Sequence, residues 1–169
     1  MQYANVHDLK DALVKRLAEP GYSKTYKNEP AFEAQVWDRV VKLMSEAGMK
    51  PDTSCLTSHT KNEGRSAEAW KNFCAEESGP DVRALGSKNR LDIVVKHPYG
   101  GTIGIEVKCL GGSRHAAKLT QGLGQAVLGL AHRDYSVLII HCGDVKIEAL
   151  QTIAKKICSG SGASIVVVP

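Results

Sequence analysis

Two apolar segments joined by a tight reversal each carry charge where a core strand has little room for it. Arg90-Leu91-Asp92-Ile93-Val94-Val95 is rich in β-branched residues. The second segment alternates, with Ile103, Ile105 and Val107 on one face and Thr102, Gly104, Glu106 and Lys108 on the other. Glu106 and Lys108 therefore project from the same side, roughly 6.5 to 7 Å apart. The linker Lys96-His97-Pro98-Tyr99-Gly100-Gly101 holds the Pro and the Gly pair that a chain reversal needs, so the strands are expected to be adjacent and antiparallel, with Asp92 beside Glu106. Charged groups in apolar strands are costly unless they find partners. A divalent cation answers for the convergence: two carboxylates with space for waters form a hard-oxygen site suited to Mg²⁺.

Asp92, then Glu106-Val107-Lys108, then a helix bearing Gln121 and Gln125, resembles the PD-(D/E)xK nuclease superfamily over a core from about residue 31 to 140. The motif is short, and an acid pair with a lysine forming an ordinary salt bridge is the plain alternative. The resemblance implies an α/β, restriction-endonuclease-like mixed β-sheet flanked by helices: an αβββαβ core, here with an N-terminal helix and an added C-terminal helix and strand. It further implies a metal-dependent nuclease, endonuclease or exonuclease, hydrolysing phosphodiester bonds in DNA more than RNA. Asp92 and Glu106 would bind Mg²⁺, with Mn²⁺ able to substitute and the Val107 carbonyl as a further ligand. Lys108 would orient or help deprotonate the attacking water. In this family the helix before the sheet often contributes a glutamate, and Glu33 is the position that could do so. Gln121, Gln125 and Lys118 would position the scissile phosphate, and Lys88, Arg90 and Arg114 would hold the nucleic-acid backbone.

The length of 169 residues suits one domain, and 43% hydrophobic with 24% charged residues is an ordinary globular composition. Five cysteines, odd in number and without a Cys-x-x-Cys pair, argue against a disulfide framework and for a reducing compartment. No apolar run approaches a membrane span and no secretory signal is evident, so a cytoplasmic location is expected. A net charge of +4 is compatible with a polyanionic partner without demonstrating one.

Along the chain, Asn5 caps a first amphipathic helix carrying Val6, Leu9, Leu13 and Leu17, ended by Pro20-Gly21. Tyr22 to Asn28 is short, basic and aromatic, able to grip a phosphate backbone and stack on a base, or simply an exposed loop. Asn28 and Pro30 open a second helix running to Gly48, with Glu33 at the edge of its buried stripe or serving only as a first-turn acid. Residues 50–79 read as an insertion with a helix over 63–77. Cys55, His59 and Cys74 lack a fourth ligand at usable spacing for zinc. Residues 80–85 read as a first edge strand. Its Pro80-Asp81 competes with Asp92 for the first acid, and Asp92 is preferred because one tight turn joins it to Glu106.

A helix over 115–132 places Lys118, Gln121 and Gln125 on one stripe, facing the acids or facing solvent. Its glycines suit close approach to the sheet or to a second subunit, so a homodimer stays open. Residues 136–141 and 164–168 read as strands covered on both faces, joined by a helix over 145–158. Two rival functions remain. One is a non-catalytic nucleic-acid-binding or accessory protein that keeps the fold; the other is a small interaction protein with no affinity for polyanions.

Overall fold

The computed structural model describes residues 3–58, 66–75, 83–84, 87–88, 91–111, 114–158 and 162–169. Its first two helices start where side chains can satisfy their free N–H groups. Asn5 Oδ1 accepts the Asp8 N–H at 2.9 Å and opens α1 (Val6–Ala18). Asn28 Oδ1 accepts the Ala31 N–H at 3.0 Å and opens α2 (Glu29–Glu46), with Pro30 in the first turn where a missing N–H costs nothing. The remaining elements in chain order are α3 (Pro51–Ser54), β1 (Cys55–Thr57), α4 (Ala67–Ala75), β2 (Arg83–Ala84), β3 (Ser87–Lys88), β4 (Ile93–Lys96), β5 (Thr102–Cys109), α5 (His115–Gly129), β6 (Tyr135–His141), α6 (Ile147–Cys158) and β7 (Ala163–Val168).

Five strands form one mixed sheet in the order β1-β4-β5-β6-β7. The pairs β1–β4 and β4–β5 are antiparallel; β5–β6 and β6–β7 are parallel. The β4–β5 reversal closes as its residues dictate: the His97 N–H donates to Gly101 O and the Gly100 N–H to His97 O, both at 3.0 Å. Gly100 and Gly101 sit at φ of 100° and 94°, a region that side chains rarely tolerate. One face of the sheet carries Ile93, Val95, Ile103, Ile105, Val107, Val137, Ile139, Val166 and Val168, and α1 and α2 cover it with Leu9, Leu13, Leu17, Phe32, Val36 and Val40. On the other face Leu138, Ile140, Ile165 and Val167 lie under α5 and α6, and Val94 and Leu56 pack on Phe73 of α4. Glu106 and Lys108 belong to this second face.

The protein is thus α/β, with helices on both faces of a mixed sheet, and no helix among the described residues is long and apolar enough to cross a membrane. Two expectations are corrected. The edge strand beside β4 is β1, within the stretch read as an insertion, and it pairs Leu56 with Val94. Arg83–Ala84 instead pairs with Ser87–Lys88 as a separate two-stranded sheet, so it is not the first strand of the core. A three-residue strand is too short to show a period, which is why composition hid it. Cys55, Cys74, Cys109 and Cys142 are free thiols; Asp81 and His59 lie outside the described residues.

Candidate functional site

The register brings the acids together. Ile93 pairs with Ile105, so Asp92, one residue before β4, falls opposite Glu106. Directly opposed Cβ atoms in an antiparallel pair are about 4.5 to 5.5 Å apart. Asp92 is half-buried, and its Oδ2 accepts the Val107 N–H at 2.8 Å. A strand residue directs its N–H and C=O to the same edge, so the Val107 carbonyl also points toward the side where Asp92 lies. Leu91, just before Asp92, is clamped between two glycines: a Cβ on Gly104 would meet its Cδ1 at 2.0 Å and one on Gly129 at 2.9 Å. These bare positions on β5 and α5 hold the chain segment that presents Asp92.

Glu106 is wholly buried and Lys108 is 6% exposed. Lys108 Nζ donates to Glu106 Oε1 at 2.5 Å and lies 3.7 Å from Glu29 Oε1. Glu106 Oε2 has no hydrogen-bond partner among the described residues. Burial raises the Glu106 pKa to about 8; the Asp92 carboxylate adds to the rise and Lys108 opposes it. For Lys108, burial works against the ammonium, but the Glu106, Asp92 and Glu29 carboxylates outweigh it and its pKa is raised. Over this pair lies α5, where Gly122 leaves room for the lysine stem: a Cβ there would meet Lys108 Cγ at 2.7 Å and Leu138 Cδ1 at 3.0 Å.

Glu29 is the residue that sequence reasoning passed over. Its Oε2 accepts the Cys109 N–H at 3.0 Å while Oε1 faces Lys108, so the first turn of α2 is tied to the end of β5. Glu33 is one turn further along the same helix face and is 2% exposed. The signal for Glu29 was its place four residues before Glu33, at the cap.

The other expected residues divide. Lys118 Nζ donates to the Cys109 carbonyl at 2.9 Å, and Gln125 is half-buried on the same stripe. Gln121 is exposed, so the stripe toward the sheet is Lys118, Gly122 and Gln125, and Gln121 does not belong to it. Arg114 is exposed at the start of α5. Lys88 lies in β3, its side chain not described, and Arg90 lies outside the described residues.

Among the described residues no three His, Cys, Asp or Glu side chains are drawn into a ready metal cage. The donors nevertheless fit a hard cation. Glu106 Oε2, the Asp92 carboxylate and the Val107 carbonyl are all oxygen, and Mg²⁺ is commonly held by one or two carboxylates, with waters and substrate phosphate completing its shell.

A cleft of about 340 Å³ opens at the end of β5, lined by Lys24, Lys27, Glu29, Lys118, His141 and Asp144 among others. Compared with known proteins, the chain matches no family model, no curated protein and no solved structure.

Proposed function

We propose that this chain is a divalent-metal-dependent phosphodiesterase of the PD-(D/E)xK type that cleaves nucleic acid, with DNA as its substrate class. The observation that carries the reading is the cross-strand placement of Asp92 against Glu106 with Lys108 on the same face and Glu106 Oε2 left without a partner among the described residues. A buried carboxylate oxygen with no donor calls for a bound group, and a cation is the group that suits it. The succession α2, β1, β4, β5, α5, β6 supports a restriction-endonuclease-like αβββαβ core, with α1 before it and α6 and β7 after it.

Asp92, Glu106 and the Val107 carbonyl would hold Mg²⁺ or Mn²⁺. Once bound, the cation lowers the pKa of water and neutralises charge at the phosphorus. Lys108, whose ammonium form the neighbouring acids favour, orients the attacking water and stabilises negative charge as it develops. Glu29, 3.7 Å from the Lys108 ammonium, steadies it as well. Lys118 and Gln125 hold the α5 side of the site, and half-buried Asp92 marks where a phosphate can approach.

One observation favours a second reading. Glu106 and Lys108 form a close, buried pair, as they would in a non-catalytic nucleic-acid-binding protein that keeps the fold. Incubation with single-stranded, duplex and branched DNA and RNA separates the two. Cleavage with Mg²⁺ or Mn²⁺ that chelator stops is the expected result. Tight binding without metal dependence and without cleavage on any substrate would favour the second reading and overturn the first.

A further inference from the structure

The loop between α1 and α2, residues 19–28, is short, yet the structure fixes it at many points. Arg39 donates to the carbonyls of Arg16, Glu19 and Pro20 and stacks on the Tyr22 ring at 3.9 Å. Gln35 Nε2 donates to Gly21 O at 2.9 Å. Tyr26 Oη accepts the Ser23 N–H at 2.9 Å and bonds Gln35, while its ring stands edge-on to His141 and against Phe32. His141 Nε2 donates to Ser23 O at 3.2 Å, which ties the loop to the end of β6. The loop's aromatic rings are therefore spent on packing. Its two lysines, Lys24 and Lys27, are exposed and line the 340 Å³ cleft beside Lys118.

This division of labour decides between two uses of a basic, aromatic loop. Base stacking needs a free ring face, and Tyr26 and Tyr22 are engaged with Phe32, His141 and Arg39. Phosphate contact needs only ammonium groups on a held scaffold, and such contacts position a nucleic acid without reading its sequence. Two carboxylates also line the cleft. Glu29 is committed to Cys109 and Lys108, whereas Asp144 is exposed and works against an anion. Cys109, whose carbonyl holds Lys118, directly follows Lys108 in β5, so the cleft adjoins the reaction site.

Resting on the phosphodiesterase reading, we propose that this cleft is a sequence-independent subsite for the phosphodiester backbone next to the scissile bond, gripped by Lys24 and Lys27 of the loop and by Lys118 of α5. The ligand class is a polyanionic strand recognised through its phosphates.

The test is fluorescence anisotropy with labelled single-stranded and duplex DNA in chelator, across a salt series, for the wild type, the Lys24→Ala/Lys27→Ala double variant and Asp144→Asn. Lys42→Ala/Lys50→Ala removes the same charge elsewhere as a control. Losing two phosphate contacts should flatten the slope of log affinity against log salt by about 1.4 to 1.8, and the loss should be equal across sequences. Asp144→Asn should tighten binding. An unchanged slope in the double variant, or an equal loss in the control, overturns the proposal, as does a wild type that binds no DNA at low salt. Mg²⁺-dependent cleavage measured in parallel keeps the two claims apart. Cleavage by the wild type with unaltered binding by the double variant leaves the enzyme standing and removes the subsite.

Discussion

Glu106 is a wholly buried acid, and burial together with the neighbouring Asp92 carboxylate imposes a pH dependence on the metal-free protein. Its folded pKa, about 8, lies above the ordinary value of 4.5, so the folded state holds its proton more tightly than the unfolded chain. The stabilisation is complete below about pH 4.5 and is lost as pH rises through 8. Glu106→Gln, which keeps an oxygen for Lys108 and removes the charge, should match the wild type in urea midpoint at pH 4.5 and exceed it at pH 8.5. Equal midpoints at both values would contradict the burial argument. Asp92, Glu106 and Lys108 were legible because charge in a strand has few explanations. Glu29 was not, since an acid beside a helix cap is already accounted for by the helix dipole.

Elements decide how tightly those residues are held. Gly122 and Gly124 are nearby positions on α5 with opposite surroundings: a Cβ at the first would press on Lys108 Cγ, while nothing lies within 4 Å of the second. Alanine helps an exposed helix by roughly 1 kcal/mol over glycine, and crowding a packed site costs about 1 to 3 kcal/mol. Gly124→Ala should therefore raise urea stability by up to about 1 kcal/mol, and Gly122→Ala should lower it by up to about 2 kcal/mol with a larger loss of cleavage. The reverse order would show that α5 does not press on Lys108. Asn28→Ala should cost about 1 kcal/mol and loosen Glu29, seen as a lower urea midpoint together with slower cleavage. The caps at Asn5 and Asn28, the Gly100-Gly101 reversal and the long strands were readable from local chemistry. The inward stripe of α5 was not: Gln121 and Gly122 both lie near Lys118 on a 3.6-residue turn, and the close approach of β5 selects the residue without a side chain.

For the molecule as a whole, a cation held by Asp92 and Glu106 would couple its binding to folding stability. A ligand that binds only the folded state at 100 times its dissociation constant adds about 2.7 kcal/mol of stability. Mg²⁺ or Mn²⁺ should raise the wild-type melting temperature in a saturable way, and Glu106→Gln should abolish the rise. An equal rise in both proteins would place any bound cation elsewhere. The antiparallel run β1, β4, β5 continuing through α5 into parallel β6 puts Asp92, Glu106 and Lys108 where α2 and α5 reach the same strand end. The most direct measurement is single-turnover cleavage of labelled DNA with Mg²⁺ by the wild type and by Asp92→Ala, Glu106→Ala and Lys108→Ala, each checked for folding by circular dichroism. The account predicts chelator-sensitive cleavage by the wild type and a loss of roughly 100-fold or more in every folded variant. Undiminished rates in the three variants would contradict it.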